Sequence, residues 1–252
     1  MRKIRSVFIS DTHLGSKHSK TKELLEFLQF VDKNRPEYVY LVGDIIDGWK
    51  IKNNWHWNHD SNLILRKIFS LLKHGTKIVY IAGNHDEFLR NFMNLEFSDI
   101  SIKDEVIHIT PNGSRILVIH GDKFDTAIRC AMKYTKFLCK FGDWSYEKLI
   151  NLNTILNYFR KKLGMPYWSA SKAIKSKFKD AVKYVGGFEQ VLSDYAKEKD
   201  CVGVICGHIH TPEIKYIDEI MYYNCGDFVE SVTALIEYDS GEMELLNIER
   251  KE

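Results

Sequence analysis

Five short runs of β-branched and aromatic residues in this chain each stop abruptly at Asp, Asn or His, in most cases beside a glycine. They read "VFISDTHLG", "YLVGDIIDG", "VYIAGNHDEF", "LVIHGDKFD" and "GVICGHIHTP". Continuous apolar runs of this length are buried strands. Helical patterns separate the first three, with apolar residues at Leu24, Leu25, Leu28 and Val31, then at Leu63, Leu65, Ile68, Leu71 and Leu72. Strands that alternate with helices are parallel and joined by crossovers, so their carboxyl ends share one edge, where sites in open α/β sheets assemble. A single ending of this kind is a turn, because Gly, Asn and Asp suit turns and helix caps for backbone reasons alone. Five with mutually compatible donors are a site.

After residue 212 the texture becomes strand upon strand: "EIKYID", "IMYYNCGD", "SVTALIEYD" and "EMELLNIE". These hairpins predict a second sheet packed face to face on the first. The fold class expected is α/β, a two-sheet αββα sandwich. Residues 124–200 interrupt the strands with helical runs broken at Gly164-Met165-Pro166, and read as a helical cap inserted into a single domain of residues 1–252. Between Lys123 and Lys183 stand fourteen Lys or Arg against four Asp or Glu, in a chain whose net charge is only +2. Charge so concentrated speaks to partners rather than to fold.

The donors at the five strand ends are Asp11, His13, Asp44, Asp47, Asn84, His85, Asp86, His120, Asp122, His208 and His210. Oxygen and imidazole ligands suit borderline divalent ions, Mn²⁺ first and Fe²⁺ or Zn²⁺ after it. They are too many for one ion. Two ions roughly 3.5–4 Å apart, bridged by a carboxylate and a water, would use them. Bridging lowers the pKa of the water, so hydroxide is available near neutrality for hydrolysis of a phosphate ester or anhydride. The five cysteines form no CxxC pair and are odd in number, which fits a reduced, cytosolic compartment and small buried side chains without chemistry. The apolar part of "MRKIRSVFIS" is too short for a signal peptide, and no segment reaches the roughly 20 apolar residues of a spanning helix.

In order, these blocks resemble the DxH, GDxxD, GNHD, H and GHxH pattern of the calcineurin-like metallophosphoesterases, across residues 11–210. The resemblance implies one ion on Asp11, His13 and His210 and a second on Asn84, His120 and His208, with Asp44 bridging both. It implies His85 beside the substrate phosphoryl group and Asp86 orienting its ring, while Asp47 and Asp122 support loops. "SDTHLG", "LVGDIIDGW", "GNHDEF", "HGDKFD" and "NCGDFVES" are further similar to the branch of UDP-2,3-diacylglucosamine hydrolase, a lipid A pathway enzyme that cleaves a pyrophosphate. A helical insertion receives the acyl chains in that branch. Residues 124–200 stand in the matching place and mix basic residues with Phe, Tyr and Trp, among them Tyr167 and Trp168. Such a surface suits an acylated phosphate or an anionic membrane.

One residue departs from the branch, which carries Arg where this chain keeps His85. A phosphate leaving group needs no proton, whereas an alkoxide gains about 10²–10⁴-fold from a general acid. His85 therefore shifts weight toward a phosphomonoester or phosphodiester. "WKIKNNWHWNHD" follows a ligand block directly, and Trp49 opens it as a candidate substrate rim. No nucleic-acid module is recognisable, and the basic residues lie with helices rather than on a stacking sheet, which argues against a nuclease. All ligand and acid residues are present, which argues against a non-catalytic scaffold. The remaining histidines (His18, His56, His59, His74 and His108) are read as surface or packing residues.

Overall fold

The computed structural model describes residues 2–51, 55–93, 96–97, 99–124 and 187–249. In chain order they form β1 (Ile4–Ile9), α1 (Thr21–Asn34), β2 (Tyr38–Val42), α2 (His59–Leu72), β3 (Lys77–Ile81), β4 (Glu96–Phe97), β5 (Ile100–Lys103), β6 (Glu105–Ile109) and β7 (Arg115–Ile119). Helix α3 at 187–198 follows, then β8 (Gly203–Cys206), β9 (Glu213–Ile217), β10 (Ile220–Asn224), β11 (Thr233–Tyr238) and β12 (Met243–Asn247). The chain divides into two compact units, Met1–Asp122 with Leu192–Glu252, and Lys123–Val191. Residues 125–186 of the second unit, with Tyr167, Trp168 and most of the expected cap, lie outside the described residues.

The first unit holds a seven-stranded sheet in the order β12-β11-β1-β2-β3-β5-β4 and a five-stranded sheet in the order β6-β7-β8-β10-β9. β1, β2 and β3 are parallel neighbours, as their alternation with helices requires. Helix α1 buries Leu24, Phe27, Leu28 and Val31 against them. Helix α2 starts where the Asn58 side chain accepts the Ser61 N–H at 2.8 Å. Its buried face is Ser61, Ile64, Ile68 and Leu71; the expected Leu63 and Leu65 flank that face and are only partly covered. The opposite faces of the same strands fill the space between the sheets. Phe8, Tyr40, Ile81 and Leu235 meet Ile116, Val118, Ile205, Tyr223 and Cys225 there, the period-two alternation of a sheet buried on both sides. Cys201, Cys206 and Cys225 are buried thiols.

The C-terminal hairpins do not make a second sheet by themselves. β9 and β10 join β8, whereas β11 and β12 return to the first sheet, with β11 antiparallel to β1. β7 and β8, expected beside β1–β3, form the centre of the second sheet instead. The chain changes sheets between Asn224 and Thr233, and that crossover runs beside the candidate site.

His108 is buried within the sandwich. One ring nitrogen pairs with the Tyr40 hydroxyl at 2.9 Å, and the other lies 2.9 Å from Glu237. Glu237, fully buried, also accepts from Ser6 Oγ at 2.6 Å and from Arg5 at 3.2 Å. Removing one partner leaves the others desolvated and unpaired, so Glu237→Ala should cost about 3–5 kcal/mol in a urea unfolding titration. Activity per folded molecule should stay unchanged.

Candidate metal centre

The donors converge because five strands, three from one sheet and two from the other, deliver them through unusual backbone. Asp11, His13, Asp44, His208 and His210 all have positive φ, between 46° and 70°. Non-glycine residues seldom occupy that region, and such strain persists where the surrounding structure holds it, typically at functional sites. Glycines give the donors room. A Cβ on Gly83 would lie 2.2 Å from Asp44 Oδ1, and one on Gly207 would lie 2.4 Å from Asp11 Oδ2.

Among the described residues three groups of ligand atoms result, each with its atoms within 4.8 Å of one another: Asp11, His13 and His210; His13, Asp44 and His85; Asp44, His120 and His208. Asp11 Oδ1 lies 3.1 Å from His210 Nε2 and 3.8 Å from His13 Nε2, while Asp44 Oδ2 lies 3.4 Å from His120 Nε2 and 3.9 Å from His13 Nε2. Backbone bonds hold the two carboxylates: His208 N–H donates to Asp11 Oδ2 at 2.9 Å, and His85 N–H donates to Asp44 Oδ1 at 2.8 Å. His120 donates from Nδ1 to the Val42 carbonyl at 3.0 Å, which turns Nε2 toward the Asp44 carboxylate. Asp11 Oδ1, Asn84 Oδ1 and His120 Nε2 are buried without a hydrogen-bond partner. Buried polar atoms are almost always paired, and Asp11 Oδ1 and His120 Nε2 belong to the ligand groups above, which fits cation binding.

Charge supports the same fit. Burial pushes the Asp11 carboxyl up, but His210 and His120 pull it to a net value below its ordinary range. Asp44 behaves likewise, with His120 and His85 outweighing burial. For His13 burial dominates and lowers its pKa despite both carboxylates. Burial lowers His120 too, but Asp44, Asp11 and Asp122 push it further up, to about 10. His210 is raised because Asp11, Asp227 and Asp44 outweigh its burial. The metal-free protein therefore carries a proton on His120 at pH 7, and His210 holds its proton more tightly than a free imidazole; these protons stabilise the fold below pH ~6.5 and are lost as pH rises through the folded values. A cation must displace them. Mn²⁺ uptake at pH 7 should release protons and tighten as pH rises, which calorimetry in buffers of different ionisation enthalpy will read.

His85 and Asp86 part company. Asp86 does not orient the His85 ring; it accepts from Gly83 N–H at 2.6 Å, Ile45 N–H at 2.8 Å and Tyr80 Oη at 2.6 Å. Its side chain folds back over its own turn and ties the third block to the second. The ring partner of His85 is Asp47, which accepts from Nδ1 at 2.9 Å. His85 Nε2 then stands 3.9 Å from Asp44 Oδ2. Trp49 stacks on the other side, ring centroids 3.8 Å apart, and remains 55% exposed. Asp122 accepts from Arg90, which also binds Asp104 and the Ala82 carbonyl and so joins the third and fourth blocks. Sequence reasoning missed the Asp47–His85 pair, although a carboxylate three residues after Asp44 was its available signal. It also missed Asp227, whose signal was a sixth strand ending in Gly-Asp.

This constellation, on a two-sheet α/β sandwich, is that of a phosphoester hydrolase: residues 4–212 match the family model for calcineurin-like phosphoesterases, and the chain belongs to that family. More particularly, it is similar to the UDP-2,3-diacylglucosamine hydrolase of Photorhabdus laumondii, 26% identical over 226 residues that cover 86% of this chain and 88% of that one. The enzyme of the same name from Psychromonas ingrahamii is 29% identical over 177 residues, 69% of this chain and 67% of its own. Among solved structures, the E. coli phosphoesterase Yfce aligns with 96% of this chain and 98% of its own, at 12% identity and a TM-score of 0.45. Among the described residues no helix is long and apolar enough to cross a membrane.

Proposed function

We propose that this chain hydrolyses a phosphate ester or anhydride at a pair of divalent ions, one held by Asp11, His13 and His210 and the other by Asn84, His120 and His208, with Asp44 common to both. The observation that carries this reading is the chain of shared donors: His13 belongs both to the group with Asp11 and His210 and to a group with Asp44, and Asp44 belongs also to the group with His120 and His208. Mn²⁺ is the ion expected, ahead of Fe²⁺ or Zn²⁺. When bound, such a pair polarises a phosphoryl group and acidifies water beside it. The chain's own residues position and protonate. His85, with Nδ1–H given to Asp47 and one ring face against Trp49, offers Nε2 to a phosphoryl oxygen or to the departing oxygen.

The substrate class we infer is an amphipathic phosphate compound related to UDP-2,3-diacylglucosamine. Similarity to the named hydrolases supports it, as does the apolar rim of exposed Trp49, Ile51 and Phe88 beside the His85 loop. In this reading residues 124–200 are a helical insertion within one domain, whose basic and aromatic composition suits an acylated anionic substrate or an anionic membrane surface in a reducing cytoplasm. His85 favours a second reading, a phosphomonoester or phosphodiester with an alkoxide leaving group. Assaying the Mn²⁺-loaded protein on UDP-2,3-diacylglucosamine, bis(p-nitrophenyl) phosphate and p-nitrophenyl phosphate separates the two. Turnover of the sugar nucleotide supports the first, turnover of the esters alone supports the second, and no turnover of any sinks both.

A further inference from the structure

The stretch "NCGDFVES" supplies no donor to the three ligand groups, yet it is the crossover that carries the chain from the second sheet to the first. It grips the backbone on both sides of one donor group. Asn224 Nδ2 donates to the Gly207 carbonyl at 3.0 Å, just before His208. Ser10 Oγ donates to the Gly226 carbonyl at 2.8 Å, and Phe228 N–H donates to the Asp11 carbonyl at 3.1 Å.

Asp227 sits at the centre of this crossover with no exposed surface. Its Oδ1 accepts the N–H groups of Val229, at 2.7 Å, and of Glu230. Its Oδ2 accepts Ser231 Oγ at 2.7 Å. So many donors hold the carboxylate fixed. Oδ1 faces His210 Nδ1 at 3.9 Å, while His210 Nε2 faces Asp11 Oδ1 at 3.1 Å. The two ring nitrogens of His210 are thus divided between the donor group and Asp227. A histidine that ligates through one nitrogen carries its proton on the other, and a carboxylate beside that proton sets the ring orientation and raises its basicity.

We infer that Asp227 is a positioning residue for His210, and that through it the crossover sets the affinity of the Asp11–His13–His210 half-site for its ion. This rests on the two-ion reading above.

The test is calorimetric titration of metal-free wild type, D227N and S231A with Mn²⁺, alongside their melting curves. D227N keeps acceptors for the loop N–H groups but removes the charge that faces His210. It should bind one ion as the wild type does and the other about 10–100-fold more weakly. S231A leaves the charge in place and should lower the melting temperature with both affinities unchanged. Two wild-type affinities in D227N, or parallel weakening of both sites in D227N and S231A, would overturn the inference and leave two-ion binding intact. A wild type that takes up no ion overturns the proposed function as well. If D227N does not fold, the wild type loaded with diamagnetic Zn²⁺ decides by NMR. A slowly exchanging Nδ1 proton on His210 supports the inference, and free exchange with water overturns it.

Discussion

Asp44→Ala should abolish turnover by about 10³-fold or more, because the several kcal/mol of charge stabilisation an ion pair supplies amounts to that factor in rate. Asp44 does three things at once. Its Oδ2 stands 3.4 Å from His120 Nε2 and 3.9 Å from His13 and His85, and its Oδ1 accepts the His85 N–H at 2.8 Å. Removal therefore opens both halves of the centre and unpins the third block. Alanine also leaves His120 buried without the carboxylate that raises its pKa. Equilibrium dialysis should then find fewer than two Mn²⁺ per chain, and excess Mn²⁺ should not restore kcat. A variant that keeps wild-type kcat would rule out hydrolysis at this centre.

His85→Ala should divide substrates by leaving group. An alkyl phosphate ester departs as a strong base, and loss of its proton donor should lower kcat by about 10²–10⁴-fold. p-Nitrophenolate is a much weaker base and should lose far less. Asp47→Asn should follow the same pattern with smaller losses, since it loosens the ring without removing it. Mn²⁺ binding should persist in both, because neither residue is assigned to an ion. A uniform loss across a series of leaving groups would assign His85 to phosphoryl binding instead of proton transfer.

Much of the fold was legible because burial leaves a periodic mark. The strands β1, β2 and β3, the helices α1 and α2, and the ligand-bearing turns after five strands all follow from apolar runs ended by Gly, Asn and Asp. What failed was assignment between sheets. "IMYYNCGD" and "SVTALIEYD" read alike as strands, but β10 pairs with β8 and β11 with β1. A strand covered on both faces carries no alternation to say which neighbour it joins. The strands β5 and β6 carried no signal, since their half-buried, charge-interrupted sequences resemble loop, and β4 has only two residues.

The site divides along the same line. Sequence alone determined which residue types stand at strand ends, in what order, and hence the class of chemistry, because local backbone geometry and donor type are written residue by residue. Only tertiary structure decided the pairings: Asp47 rather than Asp86 beside His85, Trp49 across its face, and Asp227 behind His210. Each joins loops that follow different strands, and the contact depends on which strands lie side by side, β2 with β3 and β8 with β10. No local signal encodes that.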